Sequence, residues 1–544
     1  MDKDKKSYLQ TSFIHTKRFI SIRLPLFVCV HLWLIFLVSC SSQPVDLRNL
    51  APAETLVYLE TNDLGKTLNA LTENKAFEVL AKNKPDYSAL ENIQTAIAVT
   101  GFETSQQQVT SENSVLSFKP RFVAIAETHA WNWQTLKFAE NKLGEFVNEI
   151  YGGEVSLETS DKSGGKWFVW TATDGRKAFA FVQNSRIFFG NDETAIEKSL
   201  AVQRGEADSF AKNGKNFENA KDALAFGYIS GEGVAQIANL VGVSAAIEAT
   251  EEDEGRNFIA GVLPSIVRNS VKEIFWTATK TDNGIQDKYS IPTAPEVSAV
   301  LKETLISDSN QTKLAEFLPS DIVGATRYNL QNPQIAWRSL LLVAAKQTDA
   351  VTGKILVAFS ESLLESYGVT GAETFLSAID SEIITAQFDG ETERSVAVVG
   401  VKNIENIKKS ITEINFKVPG EKQGNSEVWK SEDGEKAAAF VENKLIIGDA
   451  QSVLKSLQAK QSGQNLTKNP LYKSFAESGS VAVTFEKDDN SAAKIVEVIA
   501  ETKTENQRAA TNYLTETRFS EKGIERKTVS PFGLIGTILE QMEK

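Results

Sequence analysis

Hydrophobic residues along this chain switch repeatedly between two periods. Short apolar, β-rich runs at 56–59, 96–99, 122–125, 167–170, 178–182 and 187–189 lie close together and are separated by turn residues. Asp174-Gly175 between two of these runs predicts a hairpin, with both turn residues expected at positive φ. A helical stripe runs through Leu136, Ala139, Leu143, Phe146, Val147 and Ile150, a spacing that keeps one face apolar. Asp192 and Asp449 each follow a Gly that closes a strand, where a helix N-cap belongs. Several strands in succession between single helices predict a largely antiparallel sheet with packed helices, the α+β class.

The pattern occurs twice. Asp174-Gly-Arg-Lys-Ala-Phe-Ala-Phe-Val-Gln-Asn184 matches Asp433-Gly-Glu-Lys-Ala-Ala-Ala-Phe-Val-Glu-Asn443. Ile187-Phe-Phe-Gly190 then matches Leu445-Ile-Ile-Gly448, and Ile196-Glu-Lys-Ser-Leu200 matches Val453-Leu-Lys-Ser-Leu457. Leu50-Ala-Pro-Ala-Glu-Thr55 upstream pairs with Phe317-Leu-Pro-Ser-Asp-Ile322, and Gly284-Ile-Gln-Asp-Lys288 downstream pairs with Gly523-Ile-Glu-Arg-Lys527. The order is the same in both copies, so two homologous tandem domains are expected. The first copy is longer, and its polar stretch 104–114 and acidic run Glu251 to Glu254 read as surface insertions. Each copy closes with a helix-like segment, 297–305 and 534–542. The expected division is a signal peptide at 1–39, a tether at 40–49, a first repeat at 50–306, a linker at 307–315 and a second repeat at 316–544.

The N-terminus changes the picture of where these domains sit. Six basic side chains against two acidic ones precede residue 40, and 24–38 carries no Asp, Glu, Lys or Arg. That run is short for a membrane-spanning helix, which needs about 20 residues, and suits the apolar part of a signal peptide. Leu37-Val38-Ser39-Cys40 at its end resembles the lipobox of bacterial lipoproteins. The resemblance implies diacylglycerol on the Cys40 thiol and cleavage just before it. Several acyl chains, at about 0.8 kcal/mol per buried methylene, make a durable membrane anchor. Ser41 stands where Asp is the usual inner-membrane retention mark of such lipoproteins, which favours the outer membrane, facing the periplasm or the surface.

Charge and composition then narrow the chemistry. Net charge is −13, and removal of six positives and two negatives with the signal leaves −17. A negative surface argues against nucleic acid as a partner. After processing, Cys40 is the only cysteine and His129 the only histidine. No disulfide framework or transition-metal site is expected from that inventory, and no metal or other cofactor. His129, just past an apolar strand, reads as a loop histidine. Ser-x-x-Lys occurs at Ser209/Lys212, Ser452/Lys455 and Ser491/Lys494, but without a Lys-Thr-Gly element. Gly231-Glu-Gly233 lacks the third glycine of a phosphate loop. No catalytic residue is assigned, and a non-enzymatic binding or scaffolding role is expected. Two alternatives are a carrier of a hydrophobic ligand in an interdomain groove and a carboxylate-based envelope hydrolase. The partners expected are the membrane, through Cys40, and an envelope protein or a hydrophobic ligand.

Aromatic residues are the remaining candidates. Trp131 and Trp133, beyond the strand at 122–125, are candidate partner-binding side chains. The competing expectation for the tryptophans is core packing. Trp167 and Trp170 are three apart on a strand and so face opposite sides, and at most one is expected in a core.

Leu50-Ala-Pro-Ala-Glu-Thr55 ahead of a strand, and a Gly-ended strand leading into the Asp449, Val453-Leu-Lys-Ser-Leu457 helix, resemble a bacterial extracytoplasmic family of unknown function that opens on Leu-Pro-Ala-Asp/Glu-Thr. In the second copy Asn465-Leu-Thr-Lys-Asn-Pro-Leu-Tyr472 extends the likeness, and the first copy departs from it at Phe210-Ala-Lys-Asn213. The resemblance implies no functional residues.

Overall fold

The computed structural model describes residues 44–540 apart from 82, 109–113, 214–219, 221, 249–253, 305–312, 390–393, 413–415, 417–420, 424–425, 469–474, 476–477, 489–490 and 501–510. Among the described residues, ten strands come from the first half. They are β1 (Val57–Thr61), β2 (Gln94–Gln108), β3 (Ser114–Glu127), β4 (Val155–Lys162), β5 (Gly165–Ala172), β6 (Lys177–Gln183), β7 (Arg186–Gly190), β8 (Ala225–Ser230), β9 (Glu273–Thr281) and β10 (Gly284–Pro292). Ten more follow. They are β11 (Gly324–Asn329), β12 (Ile379–Gln387), β13 (Ser395–Val401), β14 (Glu421–Gln423), β15 (Ser426–Lys430), β16 (Lys436–Val441), β17 (Lys444–Asp449), β18 (Ala482–Asp488), β19 (Thr511–Ser520) and β20 (Gly523–Ser530).

All twenty pair antiparallel into one sheet, which with the helices makes the fold α+β. The first half contributes the order β4-β5-β6-β7-β3-β2-β1-β8-β9-β10. Through β10–β20 it continues as β20-β19-β18-β11-β12-β13-β17-β16-β15-β14. Read inward from either edge, the order is the same with ten added to each label. At the centre Lys288 faces Lys527. These are the fourth residues after Gly284 and Gly523, so each lies opposite its own counterpart, as at a two-fold axis through the sheet.

Helices cover both faces. In chain order they are α1 (Leu64–Thr72), α2 (Lys75–Leu80), α3 (Asn132–Phe138), α4 (Gly144–Tyr151), α5 (Glu193–Gln203), α6 (Gly231–Glu248), α7 (Glu254–Ser270) and α8 (Pro295–Thr304). The second half adds α9 (Pro333–Lys346), α10 (Ala350–Phe359), α11 (Ala372–Ser377), α12 (Ile404–Thr412), α13 (Ala450–Ser462), α14 (Ser491–Ala500) and α15 (Gly533–Glu540). The stripe from Leu136 to Ile150 spans α3, a π-helical turn at Ala139–Leu143, and α4, with Ala139, Leu143, Phe146 and Val147 buried. Asp192 and Asp449 cap α5 and α13 through the backbone N–H groups of Thr194 and Ser452. Ser199 and Ser456, in the matched segments of these two helices, are both fully buried.

The two terminal helices cross over. After β10, α8 places Val297 and Leu301 in a cluster with Ala336 and Val481 of the second half. After β20, α15 places Ile535 and Leu539 in the first half's core with Leu64, Leu68 and Trp276. Asp287 fixes the second crossing. Its carboxylate accepts from the Leu534 N–H in the first turn of α15 and from Trp276 Nε1, each at 2.8 Å. Burial pushes this carboxyl above its usual range, and these two hydrogen bonds pull in the other direction.

Two expectations are corrected here. Trp167 and Trp170 are both buried: Trp167 packs with Ile196 and Leu200 of α5, and Trp170 packs on the other face with Leu143 and Phe146. Alternation does place them on opposite sides, but both sides are covered. At the Asp174-Gly175 hairpin only Gly175 takes positive φ, at 85°. The Asp174 carboxylate instead accepts from the Arg176 N–H, so a longer loop closes without the two-residue turn. Of the polar stretch expected as a surface insertion, 104–108 and Ser114 lie on β2 and β3, which stay paired there.

Candidate functional site

Two cavities overlie corresponding stretches of the same sheet face. In the second half an open groove of about 1010 Å³ is floored by Thr326, Thr385 and Thr484 on β11, β12 and β18. Their counterparts by strand pairing are Leu59, Ile97 and Gly227. In the first half a cavity of only about 110 Å³ lies over Leu59 and Ile97, closed by Leu64, Phe138 and the exchanged Ile535 and Leu539. Three polar floor residues thus go with an open groove, and an apolar floor goes with a nearly filled space.

The threonines continue past the groove. Thr385, Thr326, Thr484, Thr515 and Thr528 are successive register partners on five neighbouring strands, and the next residue in the row is Asp287. Neighbouring hydroxyls meet at 3.1 Å (Thr326–Thr484) and 2.9 Å (Thr515–Thr528).

The groove's carboxylates do local work. Asp433 accepts from the Ser431 hydroxyl at 2.5 Å and the Glu435 N–H at 2.9 Å, contacts that hold it below the usual carboxylate range. Asp449 accepts both the N–H and the hydroxyl of Ser452 as a helix cap. Asp433 is thus not the raised-pKa acid of a hydrolytic pair.

One carboxyl is raised, on a strand that lines the smaller cavity. Glu60 points with Tyr58 to the other face of β1, where Tyr58 donates to its Oε2 at 2.5 Å. Burial is the main cause that lifts Glu60 from 4.5 to about 7, opposed by the Tyr58 hydrogen bond. The counterpart of Glu60 on β11 is Arg327, whose Nε meets Glu382 at 2.7 Å with both side chains buried, and whose Nη1 donates to the Ser478 carbonyl. Glu382 in turn is the counterpart of Gln94.

Gln94 holds the start of the described chain. Its Oε1 accepts from the Val45 N–H and its Nε2 donates to the Val45 carbonyl, both at 2.8 Å. Glu127 lies directly across from Gln94 and takes Arg186 Nε at 2.9 Å and the His129 N–H at 3.3 Å. His129, in the loop with φ 53°, turns the chain into α3. There the Trp131 N–H donates to Gln134 Oε1, and Thr135 Oγ1 donates back to the Trp131 carbonyl. Trp131 and Trp133 are 65% and 63% exposed on this braced turn. Core packing, the competing expectation, describes Trp167, Trp170 and Trp276 and not this pair.

At the other strand ends two helical hairpins meet. α6–α7 follows β8, and α9–α10 follows β11. Phe258 and Phe359 rings stand 5.8 Å apart, and Asn269 Nδ2 donates to the Gln347 carbonyl. On α9–α10, Ile335, Leu340, Leu342, Val351, Ile355 and Val357 are 39–68% exposed. Sequence reading missed this surface, because its apolar residues look like ordinary core positions until the packing is known.

The other sequence candidates are structural. Ser452 and Ser491 each donate to the Asp three residues earlier, and Ser209 is buried in a bridge to Pro52. Gly231-Glu-Gly233 opens α6. Cys40 and Glu251 to Asp253 lie outside the described residues, and of Glu254 only the backbone, at the start of α7, is described. Comparison with family models, curated proteins and solved structures finds no match to this chain.

Proposed function

We propose that this chain is a lipid-anchored protein of the bacterial envelope that works by binding and scaffolding, without chemistry of its own. One observation carries the reading: the apolar side chains left in solvent along α9–α10. Six large apolar side chains exposed on one helical hairpin support an interaction site there. The hairpin is rooted in strand ends opposite those beside Val45, the residue nearest the tether, which favours a protein partner over the bilayer. The two halves descend, on this reading, from one duplicated unit, as the matched motifs and the mirrored strand order suggest.

A carrier role has less support. Small-molecule sites usually enclose about 300–1,000 Å³, and the apolar cavity has about 110 Å³. Crosslinking and affinity purification from native membranes test the proposal. The expected result is an envelope protein recovered with the wild-type chain and lost with Leu342→Asp plus Ile355→Asp. Recovery of no specific protein, with a bound lipid instead, overturns it and favours the carrier.

A further inference from the structure

We propose that Trp131 and Trp133 form an interfacial foot that seats the Gln94–Glu127 end of the sheet in the headgroup region of the bilayer that holds the anchor. The inference rests on the lipid-anchor reading of Cys40 and adds an orientation to it.

The reach of the tether is the first argument. Val45 lies five residues after Cys40, at most about 18 Å of extended chain. Val45 is clamped to Gln94 by two hydrogen bonds, and Gln94 is the register partner of Glu127, four residues before Trp131. A lipidated Cys40 therefore keeps this end of the sheet close to the membrane surface.

The build of the turn is the second. Buried Glu127 holds Arg186, and the Thr128 hydroxyl donates to the Ser185 carbonyl and accepts from the Ala130 N–H. Gln134 and Thr135 then brace the first turn of α3, so both indoles are displayed from a fixed backbone. Two large aromatics so exposed contribute little to the fold. Tryptophan prefers the membrane–water interface, where its apolar ring and its N–H are both satisfied. A chain with a net charge near −17 after processing gains nothing from anionic lipid, so the contact must be apolar and indifferent to salt.

The test uses the full chain purified from membranes and reconstituted in phosphatidylcholine vesicles, with and without brominated acyl chains. Mass spectrometry of the N-terminal peptide reports acylation of Cys40 separately. Wild-type protein is expected to lose part of its tryptophan fluorescence to the bromines, equally at low and high salt. Trp131→Ser plus Trp133→Ser is expected to remove most of that loss, with the near-ultraviolet circular dichroism of the buried aromatics retained. An acylated protein whose quenching is unchanged by the double substitution overturns the foot and leaves the anchor standing. An unacylated Cys40 overturns the anchor reading and this inference with it. Capture of a protein by these tryptophans, with no quenching, also overturns it.

Discussion

On β1 the fourth residue is Glu60, buried beside a phenol; on β11 the matching residue is Arg327, buried beside a carboxylate. The backbone position and strand neighbours correspond, but the charge is reversed. In the first half burial lifts a single acid to about 7, so part of it stays protonated near neutrality. In the second half Arg327 is ion-paired with Glu382, which sits where the first half has Gln94. The difference teaches that this sheet tolerates a buried ionisable group at that position provided each polar atom is answered. The two halves answer it with different groups. The cavities beside them follow the same rule: a leucine–isoleucine floor is filled by exchanged helix, and a threonine floor is left open.

Breaking the second half's pair should have the largest effect. Arg327→Ala leaves Glu382 buried without its cation, and removing one member of such a pair typically costs about 3–5 kcal/mol. Denaturant unfolding at neutral pH should show that loss. Removing both charges together, with Arg327→Met and Glu382→Leu, should recover most of it.

The first half responds through pH. Because the folded-state pKa of Glu60 is raised, the native state holds a proton that the unfolded chain releases. Its contribution is fully present below about 4.5 and is lost as pH rises through about 7. The change approaches about 3 kcal/mol across that window. Glu60→Gln keeps an acceptor for Tyr58 and should abolish that part of the pH dependence, ending up more stable than wild type at pH 8. Identical pH profiles for the two proteins would remove the contrast between the halves.

The joint between the halves should respond more weakly. Asp287→Ala strands the Trp276 and Leu534 N–H groups and should cost about 2 kcal/mol. The effect should be concentrated in hydrogen exchange of α15 and of the β10–β20 pairing. Smallest of all, Lys527→Glu replaces a like-charged pair across the centre with an attractive one and should stabilise by about 0.5 kcal/mol at low salt.

Much of the scaffold was legible in the sequence, because caps and hairpins are local. Asp192, Asp449 and the Asp174-Gly175 turn act through neighbours within three residues, and the α3–α4 stripe records which face is buried. What stayed hidden depends on distant packing. Nothing near Leu534 says that α15 will lie on the first half, or that α8 will lie on the second. Trp167 and Trp170 looked like one core residue and one surface residue because alternation gives the direction of a side chain without saying whether a helix covers it. The candidate surfaces divide in the same way. Trp131 and Trp133 were visible as a pair, whereas the apolar face of α9–α10 has a core-like composition and emerges only from its exposure.

The most direct test of the division between a membrane end and a partner end is photocrosslinking in living cells from two positions of the same chain. A photoreactive residue at Ile355 should capture a specific envelope protein, and one at Trp133 should capture lipid and no protein. The same protein captured equally from both positions, or lipid captured from Ile355, would contradict the account.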